Sequence, residues 1–184
     1  MSSEVKSIKQ SLRHDILTRR RRRSPADRVA AGSAIAAILA EMPELKRAKC
    51  VAAFTPTTTE PNIDSLLSQL QNREVTVLLP GSSRANPTWF KVGSPAEVVE
   101  QLSASALVTA DVVVVPALAV DGSGTRLGHG GGWYDRALVH ARPDAAVIAV
   151  VFDDEFCDHE LPREPHDHPV DAVATPSGLR RLRL

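Results

Sequence analysis

The feature that most constrains the fold is a run of four consecutive valines at residues 112–115, followed by Pro116. A strand with one face in water alternates polar and apolar residues, and this run does not, so it predicts a strand covered on both faces. Residues 146–152 have the same character. Strands of this kind are typical of a parallel sheet, because the helices that connect parallel strands pack on both of its faces.

The N-terminal part of the chain predicts two helices. Apolar residues recur at helical spacing and indicate an amphipathic helix over about residues 3–23. The apolar positions are Val5, Ile8, Leu12 and Ile16. Ser24, Pro25 and Asp27 then form the pattern of a helix start, with a capping serine, proline at the first position and an acid at the third. We expect this second helix to end near residue 41.

The rest of the chain alternates between the two kinds of element. The expected strands are 50–54, 75–79, 89–92 (as an edge strand), 112–115, 146–152 and 170–174. The expected helices follow residue 62, span 95–102 and begin near residue 133. The alternation predicts an α/β fold with a mainly parallel central sheet flanked by helices in three layers, as a single domain over residues 1–184.

The composition argues against several classes of protein. Lys plus Arg and Asp plus Glu both number 22, so no net positive charge indicates a nucleic-acid partner. We therefore interpret the basic run 19–23 as a solvated helix face, although nucleic-acid binding there would predict steeply salt-dependent affinity. Cys50 and Cys157 lack zinc-site spacing and are expected to be free thiols. With no bilayer-length apolar stretch and no signal-like N-terminus, we expect a cytoplasmic protein without a membrane partner, and a monomer.

Residues 121–135 hold six of the ten glycines in the chain. Glycine allows positive φ and lets backbone N–H groups approach a ligand, and such a loop between a buried strand and a helix is typical of phosphate binding. Neither the Rossmann nor the Walker A spacing occurs, so another phosphate-binding family is needed. Arg126 adds a cation, and Asp135 is either a Mg²⁺ ligand or a helix cap.

The stretch 115–136 reads Val-Pro-Ala-Leu-Ala-Val-Asp-x-x-Gly-x-Arg-Leu-Gly-x-Gly-Gly-Gly-Trp-Tyr-Asp-Arg. It resembles the signature of the 5-formyltetrahydrofolate cyclo-ligase family, also called methenyltetrahydrofolate synthetase. Lys9 with Arg13, Glu60 and the block 161–171 match further family motifs in order, so that the resemblance covers nearly the whole chain. It implies an α/β fold and the conversion of 5-formyltetrahydrofolate to 5,10-methenyltetrahydrofolate with ATP and Mg²⁺. The formyl oxygen would be phosphorylated and then displaced by N10.

The resemblance also implies roles for residues of this chain. Arg126 and Tyr134 would be catalytic, and Asp135 and Asp167 would hold Mg²⁺, which prefers hard oxygen ligands. ATP would be bound by Lys9, Arg13, Arg126, Leu127, Gly128, His129, Gly130, Gly131, Gly132, Trp133 and Tyr134. The folate would be bound by Thr55, Glu60, Trp89, His129, Gly130, Gly131, Gly132 and Trp133, with Glu60 accepting from N–H groups of the pterin.

Simpler interpretations stay open beside these roles. Tyr134 could be packed core, Glu60 could be the acid of a helix start, and His166 and His168 are interpreted as loop residues rather than metal ligands. The segment 98–109 lacks the Gly-Ile-x-Glu-Pro motif that family members often carry, so the ATP half of the site is better supported than the folate half. The alternatives are a non-catalytic folate- or nucleotide-binding protein and an ATP-dependent enzyme with a different formyl or amide substrate.

Overall fold

The computed structural model describes residues 2–83, 85–92 and 100–182. Its strands, in chain order, are β1 (Cys50–Ala52), β2 (Thr76–Pro80), β3 (Thr88–Val92), β4 (Glu100–Ser103), β5 (Val112–Pro116), β6 (Ala119–Asp121), β7 (Arg126–Leu127), β8 (Ala146–Val150), β9 (Phe156–Cys157), β10 (Ala172–Thr175) and β11 (Gly178–Arg181). The α-helices are α1 (Ser2–Arg21), α2 (Pro25–Ala40), α3 (Pro43–Arg47), α4 (Asp64–Asn72) and α5 (Trp133–Leu138). Two 3₁₀ helices span Ala104–Thr109 and Asp153–Glu155.

Eight strands form one sheet in the order β11-β10-β8-β5-β1-β2-β3-β4. The five neighbouring strands from β10 to β2 pair in parallel, and the outer strands β3, β4 and β11 pair antiparallel. A separate small sheet has the order β7-β6-β9. The predicted α/β fold with a mainly parallel central sheet is therefore confirmed.

Two expectations on one side of the sheet were wrong. Strand β3 is not an edge strand, because β4 pairs with its outer side. The helix expected over 95–102 is contradicted at residues 100–102, which belong to β4; residues 93–99 lie outside the described residues. Leu102 lies opposite the buried Trp89 in the ladder. Apolar cross-strand pairing of this kind stabilises a strand against a weak local preference for helix.

Helices cover both faces of the sheet. On one face, α2, α3 and α4 pack on side chains that include Val112 and Val114 of β5. On the other face, α5 and the 3₁₀ helix Ala104–Thr109 pack on Val113 and Val115. Because consecutive residues of a strand point to opposite faces, the four valines contribute to both layers, as their lack of polar alternation predicted.

The second helix has the predicted start. The Ser24 side chain accepts from the Asp27 N–H, and the Asp27 carboxylate accepts from the Ser24 N–H, which completes a capping box. Within α2, Gly32 lies directly against the segment before α4: a Cβ at this glycine would be 1.6 Å from the carbonyl oxygen of Asn62. The close approach fixes the segment that carries Glu60 onto α2.

Helix α1 was predicted correctly, but its buried face coincides only in part with the apolar stripe. Ile8 is 46% exposed, whereas Lys9, Ile16 and Arg20 are buried. The interpretation of 19–23 as a solvated face is therefore wrong at Arg20, whose side chain is fully buried in an ion pair with Glu155. A charged side chain is buried in this way only where a partner compensates its charge.

Other expectations concern the chain as a whole. Cys50 and Cys157 are free, as predicted. Within the described ranges, no helix combines the length and the apolar character needed to cross a membrane. The sequence patterns did not indicate α3, β11 or the small sheet. These elements are short: α3 has five residues, β11 has four, and the strands of the small sheet have two or three.

Candidate active site

A cavity of about 530 Å³ opens where β5 ends at Pro116. Three segments that are far apart in the sequence meet around it: the N-terminal half of α1, the glycine-rich loop 126–132 and the loop before β10. Its lining residues are Lys6, Lys9, Gln10, Arg13, Pro116, Arg126, Leu127, Gly128, His129, Gly130, Gly131, Gly132, Trp133, Tyr134, Asp135, Glu164, His166 and Asp167. Ligands collect beyond the carboxyl ends of parallel strands in α/β sheets, and this cavity has that position.

Helix α1 directs two cations at the cavity. The ammonium of Lys9 lies 2.5 Å from Oδ2 of Asp167 and 3.1 Å from Oε2 of Glu164, with the lysine almost fully buried. The Nε–H of Arg13 donates to the carbonyl oxygen of Gly128 at 2.8 Å. Residues four apart on a helix lie on one face, so Lys9 and Arg13 contact the two loops side by side, as their spacing predicted.

The glycine-rich loop needs glycine at two positions. Gly130 has φ of 94° and Gly132 has φ of 61°, a backbone region that side chains disfavour. The guanidinium of Arg13 lies over the loop, 3.4 Å from where a Cβ on Gly130 would be. Helix α5 begins at Trp133 immediately after the loop, as predicted, but it has only six residues. The glycines at 130–132 therefore present backbone rather than side chains to the cavity beside α1.

A second buried ion pair lies at the end of the loop. Nη2 of Arg126 donates to Oδ1 of Asp135 at 2.9 Å, and the arginine is 6% exposed. The backbone N–H of His168 donates to the same oxygen at 3.3 Å. Arg126 also lies 5.8 Å from the centre of the Tyr134 ring. The Tyr134 hydroxyl is buried and has no partner among the described residues, and this burial raises the pKa of the phenol above its ordinary value.

The surroundings of Asp167 favour the ionised form of its carboxyl group. Burial alone would raise the pKa of this carboxyl, but hydrogen bonds from Lys9 and from the Glu164 N–H, together with the Lys9 charge, hold the pKa below its ordinary value. Glu164, His166 and Asp167 each offer an atom within 4.8 Å of the others. His166 and His168 lie in a loop, as interpreted from the sequence, with His166 exposed beside these carboxylates.

Glu60 joins the site through the loop. Its Oε1 accepts from Nε2 of His129 at 3.0 Å, and its Oε2 accepts from the Thr57 N–H at 2.7 Å. Burial alone would raise the pKa of Glu60, but these two hydrogen bonds outweigh it and lower the pKa below its ordinary value. The acid in the first turn of α4 is Asp64, so the carboxylate of Glu60 serves the loop rather than a helix start.

Aromatic rings pack behind the loop. Trp133 lies edge-to-face with Trp89 at 5.1 Å and with Tyr134 at 4.8 Å between ring centres. The indole N–H of Trp133 donates to the Ser83 carbonyl at 3.0 Å. Trp89 is fully buried behind Trp133 and Thr55 is exposed; neither lines the cavity. Of the residues expected at the folate, Trp133, His129 and the glycines line the cavity, and Glu60 contacts it through His129.

Comparison with known proteins places this arrangement in a family. The model of the 5-formyltetrahydrofolate cyclo-ligase family matches residues 5–176. The chain belongs to this family of enzymes. A 5-formyltetrahydrofolate cyclo-ligase of Mycolicibacterium smegmatis is 41% identical over 152 residues, which are 73% of this chain and 78% of that protein.

Solved structures of cyclo-ligase relatives have the same fold. The 5,10-methenyltetrahydrofolate synthetase of Aquifex aeolicus is 28% identical, with a TM-score of 0.81 over 96% of this chain and 94% of that one. The synthetase of Mycoplasma pneumoniae is 19% identical, with a TM-score of 0.75 over 91% of this chain and 98% of that one, a likeness in fold alone. The family resemblance carried by the sequence motifs is confirmed.

The sequence prediction missed residues that line the cavity. Lys6 and Gln10 lie on the face of α1 that carries Arg13, and their spacing from it would have found them. Glu164 contacts Lys9 from a loop, where no periodicity reveals which way a side chain points. The three cations expected from the sequence line the cavity, and the sequence did not indicate this partner of Lys9.

Asp121 is a further residue that the sequence prediction missed, and it joins two segments that lead into the cavity. It is buried; its Oδ1 accepts from the Thr125 N–H at 3.0 Å, and its Oδ2 accepts from the Leu161 N–H at 2.7 Å. The Val170 N–H donates to the Gly124 carbonyl at 2.9 Å. The loop that carries Asp167 is thus attached, near both of its own ends, to residues 121–124, just before the glycine-rich loop.

Proposed function

We propose that this protein converts 5-formyltetrahydrofolate to 5,10-methenyltetrahydrofolate with ATP and Mg²⁺, releasing ADP and phosphate. One observation carries the proposal: four cationic side chains, three carboxylates and a positive-φ glycine loop line one cavity at the carboxyl end of the sheet. Membership of the cyclo-ligase family supports the choice of substrate. The expectations of a cytoplasmic, monomeric, single-domain protein over residues 1–184 stay predictions.

The cations would bind the triphosphate of ATP. Lys9, Arg13 and Arg126 reach the cavity from two sides, and each already holds an internal acceptor: Asp167, the Gly128 carbonyl and Asp135. Guanidinium and ammonium groups held in this way are pre-organised, so phosphate oxygens replace existing partners without reordering of long side chains. Backbone N–H groups of the glycine loop, 128–132, would complete the phosphate contacts, and Leu127 would form part of the wall.

Two carboxylates that line the cavity, Asp135 and Asp167, would hold Mg²⁺. Oδ1 of Asp135 accepts from Arg126, Oδ2 of Asp167 accepts from Lys9, and the other oxygen of each carboxylate accepts no hydrogen bond within the described part of the chain. Carboxylate oxygens are hard ligands suited to this ion. When bound, the ion neutralises charge on the phosphate oxygens. The proposed task of the two aspartates is to supply its protein ligands.

Glu60 and the loop would orient the folate. A carboxylate with a lowered pKa is ionised at neutral pH and accepts from two neighbouring N–H groups of a pterin. His129 occupies one of its oxygens, so we expect the substrate to displace the imidazole, which is partly exposed. Trp133 would face the folate ring, and Trp89 would support Trp133 from behind.

The chemistry then consists of two displacements. The formyl oxygen attacks the γ-phosphorus and ADP leaves; N10 next attacks the formyl carbon, the C–O bond breaks, and phosphate departs with that oxygen while N10 loses its proton. The guanidinium of Arg126 would stabilise charge on the transferring phosphoryl group. Because its pKa is raised, the Tyr134 hydroxyl stays protonated and would donate a hydrogen bond rather than act as a base.

The test is the ultraviolet absorbance band of methenyltetrahydrofolate, followed after mixing the protein with 5-formyltetrahydrofolate, ATP and Mg²⁺. We expect the absorbance to rise only when all three are present. If ATP binds in a calorimeter but the absorbance does not rise, the substrate is another formyl or amide compound. If ATP and the folate both bind without turnover, the protein is a binding protein on the cyclo-ligase fold.

A further inference from the structure

Arg20 and Glu155 form a fully buried ion pair outside the cavity. Nε and Nη2 of Arg20 each donate to a carboxylate oxygen of Glu155 at 2.7 Å, and Nη2 also donates to the Ala117 carbonyl at 2.6 Å. Glu155 additionally accepts from the Phe152 N–H at 2.9 Å. The pair therefore ties the C-terminal end of α1 to the segments that follow β5 and β8.

Stability alone explains this pair poorly. Arg20 and Glu155 are 0% and 1% exposed, and Nη1 of Arg20 has no partner within the described residues. Removing two charges from water costs free energy that their attraction only partly returns, so an apolar pair of similar volume is often as stable. What an apolar pair lacks is direction, because only the forked hydrogen bonds fix the angle and register of the helix.

The pair lies on the face of α1 that also carries the cavity cations. Arg13 is seven residues before Arg20 and Lys9 is eleven, which places them about 10 Å and about 16 Å along the helix axis. Arg20 does not line the cavity. A bound triphosphate would contact Lys9 and Arg13 and compete with their present partners, but it would leave the Arg20 contacts unchanged.

Apolar packing fixes α1 only loosely. Ile16 is the one apolar side chain of the helix that is buried in the described structure, with Leu12 and Leu17 partly buried beside it. Two further contacts, those of Lys9 and Arg13, are made to cavity groups. Arg20 is thus the charged contact of α1 that is both fully buried and independent of the cavity.

Arg20 and Arg126 also donate to neighbouring carbonyl groups at the end of β5. The carbonyl of Pro116 accepts from Nη1 of Arg126 at 3.5 Å, and the carbonyl of the next residue, Ala117, accepts from Arg20. The helix that carries two cations and the loop that carries the third are therefore both attached to the same end of β5. A shift of one relative to the other would separate charges that must meet one triphosphate.

We propose that Arg20 and Glu155 are positioning residues, which set α1 so that Lys9 and Arg13 meet the phosphates of ATP. The proposal rests on the proposed function, since it assumes that the cavity binds ATP. Misplacement by about 1 Å at a site of this kind is enough to lower catalytic efficiency by about 100-fold, so the angle of α1 has direct kinetic consequences.

The test is a double variant, Arg20→Met with Glu155→Leu, which removes both charges together. We expect it to fold with a lowered melting temperature, because the Phe152 N–H and the Ala117 carbonyl lose their partners, while the KM for ATP rises about 10-fold and the KM for the folate changes less than about 2-fold. Arg20→Lys with native Glu155 keeps the charge but not the fork, and should lie between wild type and the double variant. A wild-type KM for ATP in the double variant, or equal rises in both KM values, overturns the proposal.

The matched control is Arg23→Met, one turn further along the chain. Arg23 pairs with Asp154 at the surface and lies on the Phe152 ring, so its loss should leave both KM values unchanged. Amide hydrogen exchange of residues 6–13 separates the proposal from the proposed function, because it needs no substrate. If residues 6–13 exchange faster in the double variant than in Arg23→Met, Arg20 and Glu155 position α1 even if wild type shows no turnover. Unchanged exchange of these residues overturns the proposal.

Discussion

The two halves of the cavity are built differently. In the half proposed for ATP, charged contacts join segments that are far apart in the sequence: Lys9 contacts Asp167, 158 residues away, and Arg13 contacts Gly128, 115 residues away. In the half proposed for the folate, one carboxylate, Glu60, contacts one partly exposed imidazole, His129. The first half is fixed by charged contacts between distant segments, whereas in the second the only contact of Glu60 with the glycine-rich loop among the described residues is the one with His129.

Because of this difference, the two ligands would enter the cavity in different ways. In the ATP half, Lys9, Arg13 and Arg126 each already have an acceptor, so binding exchanges one acceptor for another and the helix and loops stay in place. In the folate half, the substrate must separate Glu60 from His129 before its own N–H groups can bind. Substitutions should therefore act selectively, on ATP use and turnover in the first half and on folate affinity in the second.

The largest effect is expected for Asp135→Asn. The substitution keeps an oxygen that can accept from Arg126 but removes the negative charge, so both the proposed Mg²⁺ ligand and the ion pair with the buried guanidinium are lost. We expect turnover to fall by at least about 100-fold, the scale of losing one electrostatic contact to a transition state. The measurement is the initial rate of methenyltetrahydrofolate formation, normalised to the folded fraction from circular dichroism.

The control for that variant is Asp144→Asn. Asp144 pairs with Arg142 at 3.0 Å on the surface, so the chemical change is the same and the cavity is untouched. We expect its rate to equal that of wild type. An Asp135→Asn enzyme that is folded and retains a third or more of the wild-type rate would remove Asp135 from the metal site.

The next effect in size is expected for Glu60→Gln. The amide keeps the shape of the side chain but supplies a single acceptor oxygen without charge, and hydrogen bonds to a charged group contribute about 1.5–3 kcal/mol. We expect the KM for 5-formyltetrahydrofolate to rise about 10- to 100-fold, with the KM for ATP within about 2-fold of wild type. Asp64→Asn, at the start of α4, is the control and should change neither. A selective effect on ATP would place Glu60 in the other half.

Much of the fold and of the ATP half could be predicted from the sequence, since local patterns encode them. The valine run of β5 predicts a strand buried on both faces, and the dense glycines after it predict a loop that approaches a ligand. Lys9 and Arg13 are four residues apart in a periodic helix, which already places them on one face. These inferences need no knowledge of which distant segments meet.

The features that the sequence did not show depend on contacts between segments that are far apart in the chain. Arg20 belongs to a run of five basic residues and looks like its solvated neighbours; only the fold brings Glu155 against it. The burial of Trp89 behind Trp133 and the pairing of β4 with β3 are likewise set by tertiary neighbours. Local propensity is a weak prior wherever a cross-strand or charged partner comes from elsewhere in the chain.

The pH dependence of stability tests the contact that the folate must break. The pKa of Glu60 is lower in the folded protein than its ordinary value of 4.5, so the contact contributes stability that is complete above that value. As the pH falls through the lowered folded pKa, the carboxylate is protonated and the contribution is lost. We expect wild type to exceed Glu60→Gln by about 1.5 kcal/mol in free energy of unfolding at pH 7, with the difference vanishing on acidification. Urea unfolding from pH 7 to pH 3 measures it, and a difference that grows on acidification would contradict the assignment.

The smallest effect is expected for Trp89→Phe. Comparing it with Trp133→Phe distinguishes the contributions of the two tryptophans to folate binding. The indole N–H of Trp89 has no partner among the described residues, so phenylalanine loses volume behind Trp133 but no hydrogen bond. Trp133→Phe also breaks the contact with the Ser83 carbonyl, at the wall of the cavity. We expect the KM for the folate to rise less than about 3-fold for Trp89→Phe and about 10-fold for Trp133→Phe, since a lost hydrogen bond costs about 1 kcal/mol in addition to lost ring contact. The reverse order would mean that Trp89 moves to the cavity wall when the folate binds, and that the folate half rearranges where the ATP half does not.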